Sequence, residues 1–111
     1  MNVEVIPFLR VADADRATTW WRRLGFEQES EHRFFEGAPI FRSLRCESSR
    51  VFISEHKGDA RPDTLLYLWV DDLDPIAAEF GVEPHRAGWD ARFREIELVD
   101  PDANRVRIGE R

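Results

Sequence analysis

Cysteine is almost absent from this chain, which has a single one, Cys46, among its 111 residues. One cysteine excludes an internal disulfide and a zinc site built from several cysteines. Because Cys46 lies in a strand-like pattern, we interpret it as a small apolar residue of the core.

Long apolar runs and blocks of basic residues are also missing. No run of about 18 apolar residues is available to cross a bilayer, and the start MNVEVIPFL lacks the basic-then-apolar layout of a signal peptide. The formal charge is −6 and the basic residues are scattered, which disfavours binding to nucleic-acid phosphates. We therefore expect a soluble cytoplasmic protein with neither nucleic-acid nor membrane partners.

What the chain does contain is enough apolar material for one folded domain over residues 1–111. Apolar residues make up 42% of the sequence, with eight Phe and four Trp. A chain of this length and composition is typical of a single globular domain with its own core.

Two similar segments indicate an internal repeat. Residues 9–15 read LRVADAD and residues 68–74 read LWVDDLD. Each follows a strand-like stretch (residues 3–11 and 65–70) and precedes a helical pattern. Asp13 or Asp15 is predicted to cap the first helix and Gly25 to end it; Asp74 and Gly81 are predicted to do the same for the second.

Two later matches extend the repeat. Phe41-Arg42 corresponds to Phe93-Arg94, and the segment RVFI at 50–53 corresponds to RVRI at 105–108. The sequence therefore predicts an α+β fold of two βαβββ modules, at about 1–57 and 64–111, joined by a linker at 58–63. The alternative is an ordinary α+β domain that happens to have two similar helix starts.

Strand alternation assigns side chains to the two faces of each predicted sheet. The helix-facing set is aliphatic: Val5, Leu9, Val11, Leu44, Val51, Ile53, Leu66, Leu68, Val70, Ile96, Leu98, Val106 and Ile108. The opposite faces are predicted to be concave and to enclose a cleft, since apolar faces need cover.

The predicted cleft mixes rings with charges. The rings are Phe8, Phe41, Phe52, Tyr67, Trp69 and Phe93, and the charged side chains include Arg10, Glu95, Glu97 and Arg107. Such a surface is typical of a site for a planar, partly polar organic ligand. The alternative is that the rings are core residues and the charges pair at the sheet rim.

Catalytic side chains are not evident. Glu95 and Glu97 lie two apart on one strand face and are candidates for a general acid and base, but ion pairs with Arg107 or Arg45 are favoured. No Ser/His/Asp or Cys/His arrangement and no phosphate-binding glycine loop is present. No catalytic residue is predicted, so the sequence favours a binding protein over an enzyme.

Two stretches resemble the vicinal oxygen chelate superfamily, which includes the glyoxalases and bleomycin-resistance proteins. They are IPFLRVADADRATTWWRRLGFE near the start and GWDARFREIELVDPDANRVRI near the end. The second departs from the family pattern at Asp90 and Ala103, where glycine is usual. We expect Asn104 to adopt the left-handed conformation in place of that second glycine.

The resemblance implies a homodimer in which modules of the two partners complete the cleft. It also places the family's four metal-ligand positions at Ile6, Phe52, Leu65 and Arg107. None of these can bind a divalent metal, which requires nitrogen or carboxylate ligands. His32, His56 and His85 fall in or beside loops without ligand-like spacing, so neither a metal nor another cofactor is predicted.

Among the family's activities, the residues favour metal-free binding of a bleomycin-like drug, which is cationic with planar heteroaromatic parts. Stacking is assigned to Phe52, Trp69, Trp89 and Phe93, and contact with positive charge to Glu95 and Glu97. One alternative is a metal-dependent glyoxalase or dioxygenase-type enzyme with rearranged ligands. A second is a dimeric interaction domain without a small ligand.

Overall fold

The computed structural model describes all of residues 1–111. The first half of the chain forms β1 (Phe8–Arg10), α1 (Ala14–Arg22), β2 (Glu27–His32), β3 (Phe41–Cys46) and β4 (Ser49–Ser54). The second half repeats this order with β5 (Leu65–Val70), α2 (Asp74–Phe80), β6 (His85–Ala87), β7 (Asp90–Val99) and β8 (Arg105–Glu110). Neither helix is long and apolar enough to cross a bilayer.

Each half folds into its own four-stranded mixed sheet. The strand orders are β1-β4-β3-β2 and β5-β8-β7-β6. The first strand of each sheet pairs in parallel with the last, and the helix provides the crossover that a parallel pair requires. The predicted α+β fold of two βαβββ modules is confirmed. We call residues 8–54 the first module and residues 65–110 the second module.

Aliphatic side chains from both sheets and from α1 form a single core. Leu9, Ile53 and Ile108 are fully buried, as is Trp21 of α1. Each such side chain contributes about 1.5–3 kcal/mol by leaving water. Alternation correctly predicted nine strand residues of this core: Leu9, Val11, Leu44, Val51, Ile53, Ile96, Leu98, Val106 and Ile108.

The first strand is shorter than predicted. Pairing of β1 with β4 begins at Phe8, and Val5, predicted to face the helix, is 85% exposed. Pro7 has no N–H to donate and β1 is an edge strand, so pairing stops at Phe8 although β4 itself begins at Ser49.

The cover over β5 is incomplete. Leu66, Leu68 and Val70 were predicted to pack under the second helix but are only half-buried. The helix α2 has seven residues against nine in α1, and Ala77 is its one fully buried residue. A short helix covers less of its sheet, and an open cavity of about 510 Å³ lies beside Leu68, Val70 and Ile76.

The helix ends follow the predicted signals with small shifts. Asp13 caps α1, accepting hydrogen bonds from the backbone N–H groups of Asp15 and Arg16. The helix stops at Arg22, three residues before the predicted Gly25. Asp74 is the first residue of α2 rather than its cap, and Gly81 ends that helix in the left-handed conformation, as predicted.

The turn between β7 and β8 joins the two modules. Ala103 itself takes positive φ (66°), so the expectation that Asn104 would do so is wrong. Asn104 is fully buried, accepts a hydrogen bond from the Thr64 N–H (3.2 Å) and donates to the Arg10 carbonyl (3.1 Å). The left-handed position of this turn is therefore Ala103, and the side chain of Asn104 instead links Thr64 to the first module.

Candidate functional site

Three phenylalanines form a tight group on the outer face of the first sheet, opposite the core. The ring centroids of Phe8, Phe41 and Phe52 lie 5.0 to 5.6 Å apart. The parallel register of β1 and β4 places Phe8 beside Phe52. Phe8 remains 37% exposed. This phenylalanine cluster contains no polar side chain.

The corresponding face of the second sheet has four larger rings, which we call the aromatic wall: Tyr67, Trp69, Trp89 and Phe93. Trp89 and Phe93 stack with centroids 5.4 Å apart, while the other contacts are edge-on. Trp69 is 37% exposed and Trp89 is 59% exposed. Exposed rings of this size are unusual at a monomer surface and are typical of binding sites.

A buried carboxylate lies behind these rings. Glu95 is 6% exposed, and its Oε2 accepts hydrogen bonds from the Tyr67 hydroxyl (2.7 Å) and the Trp89 indole N–H (3.1 Å). These donors compensate much of the cost of burying the group, and they also hold both rings in place.

The residue that makes this network possible is Gly109. The register aligns Gly109 of β8 with Trp69 of β5 on one side and Glu95 of β7 on the other. The Tyr67 side chain therefore crosses β8 at a point with no side chain in its way. A Cβ at position 109 would overlap the Tyr67 hydroxyl and would lie 2.9 Å from the Trp69 ring.

Glu97 and Arg107 form a separate ion pair on the same face. Arg107 Nε donates to Glu97 Oε1 at 2.7 Å, across the antiparallel pair of β7 and β8. The expected ion pair of Glu97 is therefore present, whereas Glu95 makes no hydrogen bond to an arginine. Both glutamates border an open cavity of about 490 Å³ lined by His85, Gly88, Trp89, Glu95, Glu97 and Arg107.

The network shifts the pKa values of Glu95 and Tyr67 in opposite directions. Burial alone would raise the pKa of Glu95, but the Tyr67 and Trp89 hydrogen bonds and the Arg107 charge outweigh it and lower the pKa. Burial and the Glu95 carboxylate raise the pKa of Tyr67 to about 12. At neutral pH the site therefore contains an ionised carboxylate and a neutral phenol.

A family model described as a glyoxalase superfamily protein matches residues 2–111 of this chain. The chain belongs to the glyoxalase superfamily. This agrees with the resemblance to the vicinal oxygen chelate superfamily that the two quoted stretches indicated. No curated protein sequence gives a significant match.

Solved structures of the same fold include a bleomycin-binding protein, TioX and a lactoylglutathione lyase. A bleomycin-binding protein complexed with bleomycin has 19% identity and a TM-score of 0.73 over 99% of both chains. TioX from Micromonospora sp. ML1 has 17% identity and a TM-score of 0.75 over 98% of both chains. Lactoylglutathione lyase from Agrobacterium tumefaciens has 17% identity and a TM-score of 0.70, covering 99% of this chain and 94% of that one. These identities establish the shared fold alone.

In this glyoxalase superfamily protein, the four positions that the resemblance assigns to metal ligands do not fit a metal ion. Ile6 precedes β1, Phe52 packs in the phenylalanine cluster, Leu65 is 42% exposed, and Arg107 pairs with Glu97. No group of three or more His, Cys, Asp or Glu side chains is arranged to hold a metal elsewhere.

The predicted ligand-binding residues lie in two separate places. On the second module, the residues that line the 490 Å³ cavity are Trp89, Glu95, Glu97 and Arg107, and the other rings of the aromatic wall lie around Trp89: Tyr67, Trp69 and Phe93. On the first module, Phe8, Phe41 and Phe52 form the phenylalanine cluster. The sequence analysis did not assign three residues of this region to the site: His85, Gly88 and Gly109. His85 and Gly88 lie in a short strand and a turn that have no distinctive sequence pattern. Gly109 could have been found, because an isolated glycine within a strand is a recognised sign of close approach.

Proposed function

We propose that this protein binds a planar organic molecule beside the aromatic wall and sequesters it without a metal ion and without chemical conversion. One observation carries the proposal: the exposed ring of Trp89, which the other rings of the aromatic wall contact, and the buried, ionised Glu95 border the same 490 Å³ cavity. Rings provide apolar area for a flat molecule, and the carboxylate orients a polar group on it. Antibiotic-like molecules with cationic planar parts are the ligand class that suits this combination.

Contacts within the chain support the cationic character of the ligand. The guanidinium of Arg111 lies 5.1 Å from the Trp69 ring centroid, and that of Arg92 lies 5.5 Å from the Phe93 centroid. Two rings of the wall thus already stack with cations, a contact that contributes about 0.5–2 kcal/mol. A cationic ligand would make the same kind of contact with Trp89.

We further propose a homodimer that acts in the cytoplasm, in which the phenylalanine cluster of one protomer faces the aromatic wall of its partner. Within one chain, the aliphatic faces of the two sheets share a core, and each ring group makes its ring contacts inside its own module. Both ring faces are left partly exposed, and apolar faces are stabilised by cover. A symmetric pair of chains would cover each ring face once.

The alternative is an enzyme of the same fold, such as the lactoylglutathione lyase above. That function would require metal ligands outside the four family positions. Purification without chelator followed by metal analysis decides this, because stoichiometric Zn²⁺, Ni²⁺, Mg²⁺ or Fe²⁺ would contradict the metal-free proposal.

The binding proposal is tested by a thermal-shift screen with bleomycin, smaller planar cations and divalent metals side by side. A ligand present at a hundred times its dissociation constant should add about 2.7 kcal/mol to the free energy of unfolding. Stabilisation by metals alone, or by no compound at all, would contradict the proposal.

Replacing Trp69 by alanine sharpens the screen. We expect about tenfold weaker binding of any ligand found, because a stacking ring is lost and Trp89 loses its neighbour at 6.0 Å. Phe34→Ala is the control, since Phe34 is an exposed ring (75%) outside the cavity and should leave the affinity unchanged. If Trp69→Ala and the unmodified protein bind the ligand with equal affinity, the aromatic wall is not part of the binding site.

A further inference from the structure

Only one of the two carboxylate oxygens of Glu95 has a hydrogen-bond donor. Both Tyr67 and Trp89 donate to Oε2. His85 Nε2 lies 3.8 Å from Oε1, which is too far for a hydrogen bond. Only Trp21 Nε1 and Asp102 Oδ2 are buried side-chain atoms without a partner, so Oε1 reaches solvent although Glu95 as a residue is only 6% exposed.

No arginine side chain contacts the carboxylate of Glu95 directly. The neighbouring arginines lie against Glu97 instead: Arg107 is 2.7 Å and Arg105 is 4.0 Å from Glu97 Oε1. Glu97 is therefore paired with an arginine, whereas no arginine contacts Glu95 and its Oε1 has no hydrogen-bond donor. Of the two glutamates that the sequence assigned to contact with positive charge, Glu95 is the one without an arginine partner.

Resting on the binding function proposed above, we propose that Glu95 Oε1 selects ligands that present a planar N–H donor cation. Amidinium groups and protonated aminoheterocycles have this chemistry. Their N–H donors lie in the plane of a conjugated, positively charged group, and that group can stack on Trp89. Tyr67 and Trp89 are positioning residues, since they decide which oxygen of Glu95 is presented.

The same geometry predicts that Glu95→Gln inverts the selection. The indole N–H of Trp89 can only donate, so it holds the amide oxygen of the glutamine at the Oε2 position. The amide NH₂ then occupies the Oε1 position. A site that accepted a donor becomes a site that offers one, and it lacks the negative charge.

The experiment titrates tryptophan fluorescence with benzamidine, benzamide and benzoate, which share a planar ring and differ in their end group. We expect the unmodified protein to bind benzamidine about tenfold or more tightly than benzoate. In Glu95→Gln we expect benzamidine to lose about tenfold while benzoate binds equally well or better. Glu83→Gln, an exposed residue of the same module, makes the same charge change and should leave the order intact.

The outcomes separate the two proposals. If all three probes bind the unmodified protein alike, the selection by Glu95 is wrong while the binding function stands. A preference for benzamidine that survives Glu95→Gln also overturns the selection. If no probe and no bleomycin changes the fluorescence at millimolar concentration, both proposals are wrong. The ranking in the unmodified protein tests the selection even if the variant does not fold.

Discussion

The two modules have the same topology but opposite chemistry on their ring-bearing faces. Strand register makes Phe41 of the first module, which pairs with Ser54, the equivalent of Glu95, which pairs with Gly109. In the same register the position of Arg107 is taken by Phe52. One face therefore carries a cluster of phenylalanines where the other carries a buried carboxylate beside exposed rings. A repeated backbone fixes where side chains point, not what they bind.

The turns of the two modules differ in the same way. Asp102 and Asn104 of the second module reach across to the first, where they bond the Ala12 N–H (2.8 Å) and the Arg10 carbonyl (3.1 Å). The equivalent turn of the first module, Cys46–Ser49, makes no such bonds. An open cavity of about 510 Å³ lies between it and Trp69–Asp71. Polar side chains in one turn thus join the modules on one side only.

Removing that polar link should have the largest effect on stability. Asn104→Ala leaves the Thr64 N–H and the Arg10 carbonyl without partners in a buried place, so we expect a loss of about 2–4 kcal/mol in urea unfolding. Ser49→Ala is the matched control at the equivalent turn position, where the exposed side chain makes no hydrogen bond, and should cost less than about 0.5 kcal/mol. Equal effects would mean that the two turns are alike in function.

A smaller effect is expected from giving the second module a side chain where the first module has one. Gly109→Ala should cost about 1–3 kcal/mol in urea unfolding, because the new Cβ overlaps Tyr67 and crowds Trp69. It should also break the Tyr67–Glu95 hydrogen bond. Gly58→Ala meets no atom within 4 Å and serves as the control. A stable Gly109→Ala variant with an unchanged tyrosine pKa would contradict the close approach.

The smallest and most specific effect concerns pH. Tyr67 is the only tyrosine, so phenolate absorbance reports it alone, and its pKa should be about 12 rather than the ordinary 10. Because the folded protein holds this proton more tightly than the unfolded chain, its contribution to stability is complete below pH 10 and is lost as the pH rises through about 12. Glu95→Gln should move the pKa towards 10. A transition at pH 10 in the unmodified protein would exclude the network.

Some features follow from local patterns and were correctly predicted from the sequence. Alternation placed Leu9, Val51 and Ile108 in the core because a strand directs successive side chains to opposite faces. Asp13 and Gly81 marked helix ends because their chemistry suits those backbone conformations. The repeat and the quoted stretches led to the fold and the family, which the structure and the family match confirmed.

Other features required knowledge of which strands are neighbours. The hydrogen bond from Tyr67 to Glu95 joins side chains 28 residues apart across an intervening strand, and it forms because Gly109 happens to lie between them. The burial of Asn104 depends on a contact with a residue 94 positions away. The exposure of Val5 depends on where the pairing of β1 with β4 begins.

The sequence by itself therefore determined the module repeat, the core-facing side of each strand and the lack of metal ligands at the family positions. Those properties depend on residue type and spacing along one segment. Only the tertiary structure decided that Glu97 pairs with Arg107 while Glu95 is buried beside Tyr67 and Trp89, and that each ring group makes its ring contacts within its own module. Both depend on strand register and on the packing of two sheets around one core, which couple residues far apart in the chain.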